Sequence, residues 1–373
     1  MKGSEAKMMG FMEGADKRFV IPVYQRKYDW KYDNCRQLYE DLKKIVIDRQ
    51  ESHFFGSIVK GSKIEYHIID GQQRLTTITL LLLAIRNLIA QGKITTTEGR
   101  LDEQIGQRFL VSPWASEDDR IKLRPVKSDS DALAKLFGDE EDYDRSSNLT
   151  TNYQFFCDMV LKEEIPVADL YAAVGKLEII SITLDQGDNA QLIFESLNST
   201  GLALTEGDKI RNYVLMGLPA QNQSKYYDTY WAKIERCTGN DVSGFIRDYL
   251  SIKEQIIPSI NTVYRAFKDY AEKASLPIDT LLADLLRYAR FYENPDGFAD
   301  AEHERSGSYQ SNPKQRESSW KDHSNRCNDC KCFFGRCAAY SISSWLCSMC
   351  HKASSPGQRV QRTLRRDSCK TCC

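Results

Sequence analysis

The stretch that most constrains the fold is YHIIDGQQRLTTITLLLLAIRN, residues Tyr66–Asn87. It opens with a short run of β-branched and aromatic residues, which is typical of a strand. Asp70-Gly71 interrupts the run, and from Gln72 onward apolar residues no longer alternate but occur on nearly every side of a helix. The stretch therefore predicts a strand, a tight turn and a buried helix in direct succession.

Polar side chains cluster where the predicted strand passes into the helix: Asp70, Gln72, Gln73, Arg74, Thr76 and Thr77. The N-terminus of a helix has unpaired N–H groups and partial positive charge, so it suits a phosphate or another anion. Arg74 adds a planar set of donors that matches phosphate oxygens. We expect this turn to bind a nucleotide or a nucleic-acid phosphate. The structural alternative makes Asp70 the helix N-cap and Arg74 the partner of a carboxylate.

A second polar segment is FVIPVYQRKYDW, residues 19–30. It begins as a strand, which Pro22 confines to a sheet edge or a strand end, and continues as a loop rich in aromatic residues. Those aromatic side chains are expected to pack in the core. Arg26 lies between them, where a charge is costly without a partner.

Elsewhere the patterns predict one further hairpin strand, one late strand and many helices. The predicted strands are His53–Lys60 and Leu177–Leu184, and the predicted helical regions are Asn34–Asp48, 91–170 and 219–295. In NAQLIFESLNSTGLALTEGDKIRNYVLMG, residues 189–217, one helix should end near Gly201 in a left-handed C′ position. Thr205 should cap the next helix, with Asp208 completing a capping box.

Four of these pieces occur in a fixed order: IPVYQRKYDW (21–30), FFGSIV (54–59), IIDGQQRLTTITLLL (68–82) and IFESLNSTGLALTEGDKIRNYVL (193–215). Together they resemble the N-terminal domain of the GmrSD family of modification-dependent restriction endonucleases. That domain also occurs in phosphorothioate-sensing phage-defence nucleases. The resemblance covers residues 8–295, and four ordered motifs are far more specific than one.

The resemblance implies an α+β fold with a ParB/sulfiredoxin-like α/β core in residues 8–90 and a mainly helical domain in 91–295 that completes the site. It also implies binding and hydrolysis of a nucleoside triphosphate with Mg²⁺, coupled to cleavage of modified foreign DNA. The residues implied to be catalytic are Asp70, Gln73 and Arg74. Those implied to bind nucleotide or phosphate are Arg26, Gln25, Gly71, Gln72, Thr76, Asn198, Gly201 and Asp208. The chemistry agrees, since Asp70 suits a hard divalent ion and the arginines suit a charged phosphoryl group.

Charge and composition limit the partners. Residues 1–300 carry a net charge of −8, which argues against a broad DNA-binding face, so we expect any DNA contact there to be local. The first residues show no apolar signal region, and Leu75–Ile89 is shorter than a membrane span. With only three cysteines before residue 301, this part is expected to be cytoplasmic with reduced thiols and no membrane contact.

The chain changes character after about residue 296. Residues 301–373 contain nine cysteines but only four branched aliphatic residues, so they cannot bury a core without metals or cross-links. We favour an out-of-frame or disordered tail that lacks the C-terminal HNH nuclease domain of the family. The second alternative is a zinc module, since two C-x-x-C pairs are separated by 16 residues. Its candidate ligands are Cys327, Cys330, Cys347 and Cys350.

Three functions remain open at this point. The part of the chain before the Cys-rich tail is either a nucleotide-hydrolysing, DNA-sensing enzyme of a restriction system or a binding module that uses the nucleotide site as a switch. The third alternative is a truncated inactive remnant. Modified foreign DNA is the expected partner in the first two cases. A separate nuclease subunit and a second copy of the chain are the candidate protein partners.

Overall fold

A computed structural model provides the structure of the chain. It describes residues 1–14, 16–61, 65–116, 119–185, 187–197 and 204–293. The chain divides into two compact units, Met1–Ala232 with Val242–Leu281, and Lys233–Asp241 with Leu282–Cys373. Of the second unit, only residues 233–241 and 282–293 are described. The predicted Cys-rich tail, with Cys327, Cys330, Cys347 and Cys350, lies outside the described residues.

The strands of the described residues form one mixed sheet. They are β1 (Lys2–Lys7), β2 (Arg18–Val20), β3 (His53–Gly61), β4 (Glu65–Asp70), β5 (Leu123–Arg124) and β6 (Leu177–Leu184). The order in the sheet is β1-β6-β3-β4-β2-β5. β1 pairs antiparallel with β6 and β3 antiparallel with β4, while β3 with β6, β4 with β2 and β2 with β5 are parallel pairs. The predicted mixed α/β fold is confirmed.

Three of the four segments described above, residues 21–30, 54–59 and 68–82, meet at one end of this sheet. Because β2 and β4 are parallel, the chain leaves both strands at the same end, toward Pro22 and toward Gly71. β3 runs antiparallel to β4 with Val59 opposite Asp70, so the first half of β3 also lies at this end. Pro22 follows soon after the last residue of β2, which is the strand-end alternative of its prediction.

The helices connect the strands and follow them along the chain. They are α1 (Met8–Met12), α2 (Tyr32–Ile47), α3 (Gln72–Ala90), α4 (Leu101–Ile105), α5 (Lys127–Lys135), α6 (Asn148–Leu161), α7 (Val167–Val174), α8 (Ala190–Leu197), α9 (Glu206–Met216), α10 (Ala220–Tyr226), α11 (Ala232–Cys237), α12 (Val242–Glu254), α13 (Val263–Ala274) and α14 (Ile278–Glu293). Among the described elements, π-helical turns occur at Gly106–Leu110 and Tyr227–Trp231, and 3₁₀ turns at Glu140–Asp142 and Ile260–Thr262.

The central helix is α3, which packs against α4 and α6. By length and composition alone this helix could cross a membrane, and it is the only such helix in the described part of the chain. However, 78% of its most apolar window is buried inside the protein. Its Thr77 and Thr79 hydroxyls donate to the carbonyl oxygens of Gln73 and Leu75, so these polar groups are satisfied within the helix. α3 is a core helix, as the sequence predicted.

Candidate functional site

The turn between β4 and α3 requires a glycine at position 71. Gly71 is the N-cap of α3 and has φ 86°, in the left-handed region. A Cβ there would lie 2.7 Å from the carbonyl oxygen of Ser57 and 3.1 Å from the Cα of Ile58, neither of which can move without moving β3. The N-cap is therefore Gly71 and not Asp70, which corrects the structural alternative for Asp70. Gly71 has no side chain that could cap the first turn of α3, so the first-turn N–H groups receive no bond from the cap residue.

Arg74 lies across β3 at the position of Gly56. Its Nη1 donates to the carbonyl oxygen of Ser57 at 2.9 Å and lies 4.0 Å from Oδ2 of Asp70. A Cβ on Gly56 would lie only 2.6 Å from Nε of Arg74, so the absence of a side chain at this bulged position creates the space for the guanidinium. The side chains of Arg74 and Asp70 are 24% and 21% exposed, which leaves both accessible to a solute.

Gln73, predicted to be catalytic, binds the backbone of the 27–30 loop. Its Oε1 accepts from the amides of Asp29 at 2.9 Å and Trp30 at 3.2 Å, and its Nε2 donates to the carbonyl oxygen of Lys27 at 3.2 Å. The amide group thus fixes the loop beside the start of α3. A direct role in catalysis stays a prediction.

The same loop is anchored from other helices through Tyr28. Its amide donates to Oδ2 of Asp129 at 2.6 Å, and its hydroxyl accepts from Nδ2 of Asn152 at 3.0 Å and bonds to Thr77 at 2.8 Å. Burial raises the pKa of Asp129, while the bond from Tyr28 opposes that shift. The buried tyrosine of this loop is therefore a packing element, as predicted, and its hydrogen bonds attach the loop to α3, α5 and α6.

Two glutamines join the loop to the DGQQR turn. Gln25 donates from Nε2 to the carbonyl oxygen of Ile69 at 2.8 Å, and Gln72 donates from Nε2 to Oε1 of Gln25 at 3.2 Å. Both side chains are buried, as is Thr76 one turn later. The structure therefore brings Gln25 and Gln72 into direct contact. Their role in nucleotide binding, and that of Thr76, stay predictions.

Arg26 is the charge on which the surrounding acidic groups converge. Burial lowers the pKa of its guanidinium, and the carboxylates of Asp208 and Asp29 oppose that shift. Asp70 adds a smaller opposing effect, and Arg211 acts in the same direction as burial. An arginine remains protonated under such a shift. The topology therefore places the Y-Q-R segment, the DGQQR turn and α9 within electrostatic range of one another.

Asp208 occupies the first turn of α9 in the predicted capping box. Its amide donates to Oγ1 of Thr205 at 3.0 Å, and its Oδ2 accepts from that hydroxyl at 2.8 Å. Its Oδ1 accepts from Nη2 of Arg211 at 2.6 Å, and Nε of Arg211 donates to the carbonyl oxygen of Tyr24 at 2.9 Å. The sequence interpretation missed Arg211; its only signal was a spacing of three residues from Asp208 on a helix. Direct nucleotide binding by Asp208 stays a prediction, and Asn198 and Gly201 lie outside the described residues.

The carboxylates of the site suit a magnesium ion bound together with phosphates. Mg²⁺ usually takes one or two protein carboxylates and completes its coordination with waters and substrate oxygens. Asp70 is partly exposed beside Arg74, so it fits that role. Among the described residues there is no group of three or more His, Cys, Asp or Glu that could hold a metal ion by itself.

The family model of the GmrSD restriction endonuclease N-terminal domain matches residues 10–215, more than half of the chain. The chain belongs to this family. No curated protein sequence matches it. The matched range includes the DGQQR turn, the 25–30 loop and the Asp208–Arg211 pair, so the whole described site lies within the GmrSD domain. Membership of this family gives the protein a role related to restriction endonucleases.

Proposed function

We propose that this protein binds a nucleoside triphosphate with Mg²⁺ at the DGQQR turn, hydrolyses it, and is the DNA-sensing component of a modification-dependent restriction or phage-defence system. The observation that carries the proposal is the convergence of Arg74, Asp70 and Arg26 beside the N-terminus of α3. A helix N-terminus with two guanidinium groups and one accessible carboxylate is suited to a polyphosphate and its counterion.

The residues divide the work by their chemistry. Arg74 is held by Ser57 and Arg26 by its position in the anchored loop, so both can stabilise charge that grows on a transferred phosphoryl group. Asp70 would hold the Mg²⁺, which supplies charge neutralisation for the phosphates when bound. Gln73 acts as a positioning residue, because its amide holds the Lys27–Trp30 backbone against α3.

The substrate of the coupled restriction step is proposed to be modified foreign DNA in the cytoplasm. Family membership supports a DNA partner. The net negative charge of residues 1–300 limits DNA contact to a local surface. Cleavage itself is assigned in this proposal to a separate nuclease domain or subunit, which is the arrangement that the family resemblance implies.

One observation favours a second candidate, a nucleotide-gated switch without turnover. The side-chain amides of both DGQQR glutamines are already hydrogen-bonded, Gln72 to Gln25 and Gln73 to the loop backbone. If these bonds persist with nucleotide bound, neither amide is placed to orient an attacking water. The switch would then bind the nucleotide and transmit its presence without releasing phosphate.

Phosphate release from ATP and GTP with Mg²⁺ tests the proposal on the full chain. We expect turnover in the wild type and a loss of at least about a hundredfold in Asp70→Ala and Arg74→Ala, the range typical of a removed electrostatic group. Arg36→Ala is the matched control, since Arg36 is an exposed arginine on α2 paired with Asp33. Nucleotide binding without phosphate release would refute the proposed hydrolysis and support the nucleotide-gated switch. Absence of nucleotide binding would refute both proposals.

A further inference from the structure

We infer that Arg211 is a positioning residue for Arg26. By binding Asp208 and the Tyr24 backbone, Arg211 weakens the electrostatic attraction between Asp208 and the Arg26 guanidinium. Arg26 is then better able to bind a phosphate group. This inference rests on the proposed function of the DGQQR turn. It gives Asp208 a role as a competitor of phosphate, in place of the direct ligand role predicted from the sequence.

The buried side chain of Arg211 connects α9 to the loop that contains Arg26. Nε of Arg211 donates to the carbonyl oxygen of Tyr24 at 2.9 Å, and its Nη2 donates to Oδ1 of Asp208 at 2.6 Å. Tyr24 lies two residues before Arg26, and Gln25 between them is itself bonded to Ile69. Arg211 therefore fixes the chain on the N-terminal side of Arg26, while Gln73 fixes it on the C-terminal side.

The charges explain why this link controls Arg26. Burial lowers the pKa of the Arg26 guanidinium, and among the charged groups around it the carboxylate of Asp208 opposes that shift most strongly. Its two oxygens are divided between separate donors, because Thr205 binds Oδ2 and Arg211 binds Oδ1. As long as Arg211 occupies Oδ1, the charge of Asp208 is largely compensated by its own neighbour on the helix. Asp208 then competes less strongly with an incoming anion for Arg26.

Removal of Arg211 should transfer Asp208 to Arg26. A carboxylate that loses its partner at a poorly solvated site draws in the nearest cation, because an uncompensated charge there is costly. The phosphate would then have to displace Asp208 from Arg26 before it could bind. Loss of the bond to Tyr24 would also loosen the loop. We expect these effects to weaken nucleotide binding without changing the DGQQR turn itself.

The first measurement is the Kd for ATP and for GTP, each with Mg²⁺, on the full chain. Arg211→Ala should bind at least about tenfold more weakly than the wild type, which corresponds to ~1.4 kcal/mol. Asp208→Asn retains a side-chain oxygen for the helix cap and should bind as well as the wild type or better. The double variant Arg211→Ala/Asp208→Asn should recover most of the loss. The pair Asp33 and Arg36 on α2 has the same spacing on an exposed face, so Arg36→Ala with and without Asp33→Asn is the matched control.

A second measurement needs no nucleotide. Phenylglyoxal adds to accessible guanidinium groups, and mass spectrometry of peptides gives the modification rate of Arg26 in the free protein. We expect this rate to fall in Arg211→Ala and to recover in the double variant. Arg211→Lys, which retains the charge, should lie between them and provides the comparison if Arg211→Ala does not fold.

The outcomes separate the two proposals. If the wild type binds no nucleotide, the proposed function fails, and the Arg26 modification rates still decide the inference. If the wild type binds nucleotide and Arg211→Ala binds equally well, the inference is overturned while the proposed function stands. Weaker binding by Asp208→Asn alone would also overturn it, because Asp208 would then be a ligand and not a competitor.

Discussion

Replacement of Gly56 by alanine tests whether the bulge in β3 exists to accommodate Arg74. Gly56 has φ +129°, a conformation that costs an L-residue about 1–3 kcal/mol. The new Cβ would lie 2.6 Å from Nε and 2.8 Å from Cζ of Arg74. Because these atoms belong to the end of a long side chain, the guanidinium would swing away and lose its bond to Ser57, worth about 1–2 kcal/mol. We therefore expect a total loss of about 2–5 kcal/mol in the free energy of unfolding.

Urea denaturation of the full chain measures this loss, and the Kd for ATP with Mg²⁺ measures the displacement of Arg74. Gly61→Ala is the control on the same strand, since a Cβ added to Gly61 would have no described atom within 4 Å and its φ is not positive. In an Arg74→Ala background, Gly56→Ala should retain only the backbone cost of about 1–3 kcal/mol and should not weaken binding further. Equal effects of Gly56→Ala and Gly61→Ala on stability and on binding would refute the reasoning.

Two further predictions concern buried polar groups. Gln73→Ala leaves the amides of Asp29 and Trp30 without their acceptor. We expect a loss of about 1–3 kcal/mol in the free energy of unfolding and faster hydrogen exchange at both amides. Gln37→Ala, at an exposed glutamine, is the control. Burial lowers the pKa of Lys122 to about 8, so between pH 8 and about 10.5 the unfolded chain binds more protons than the folded chain. The free energy of unfolding of the wild type should therefore rise with pH across that window, relative to that of Lys122→Met. A pH-independent difference in urea denaturation between these two proteins would contradict the assignment to Lys122.

Local patterns predicted the part of the site that is built from one stretch of chain. The strand, turn and helix around Gly71 and the capping box of Thr205 and Asp208 are all observed. These features depend on periodicity and on the chemistry of neighbouring residues, which the sequence displays directly. The family resemblance was carried by the same segments and is confirmed by the family match.

Contacts between distant segments were beyond such patterns. β1 is a polar, largely exposed strand without alternation, and β5 has only two residues, so neither gave a strand signal. The anchoring of Tyr28 by Asp129 and Asn152, and the link from Arg211 to Tyr24, depend on which elements the fold brings together. A local pattern contains no information about such partners, because the residues around Arg211 in sequence would be the same whichever distant segment packed against it.

The anchoring of the 24–30 loop has a consequence for how the protein is made. Its hydrogen bonds reach forward by 101 residues to Asp129, 122 residues to Asn152 and 187 residues to Arg211. At about 5–20 residues per second, synthesis from Tyr24 to Arg211 takes roughly 10–40 s, and closure of such long loops adds an entropic cost. The nascent chain on the ribosome therefore displays the Y-Q-R segment long before its anchors exist. The proposed phosphate-binding site becomes complete only after α9 has been synthesised, so the proposed nucleotide binding would begin only after most of this domain has left the ribosome.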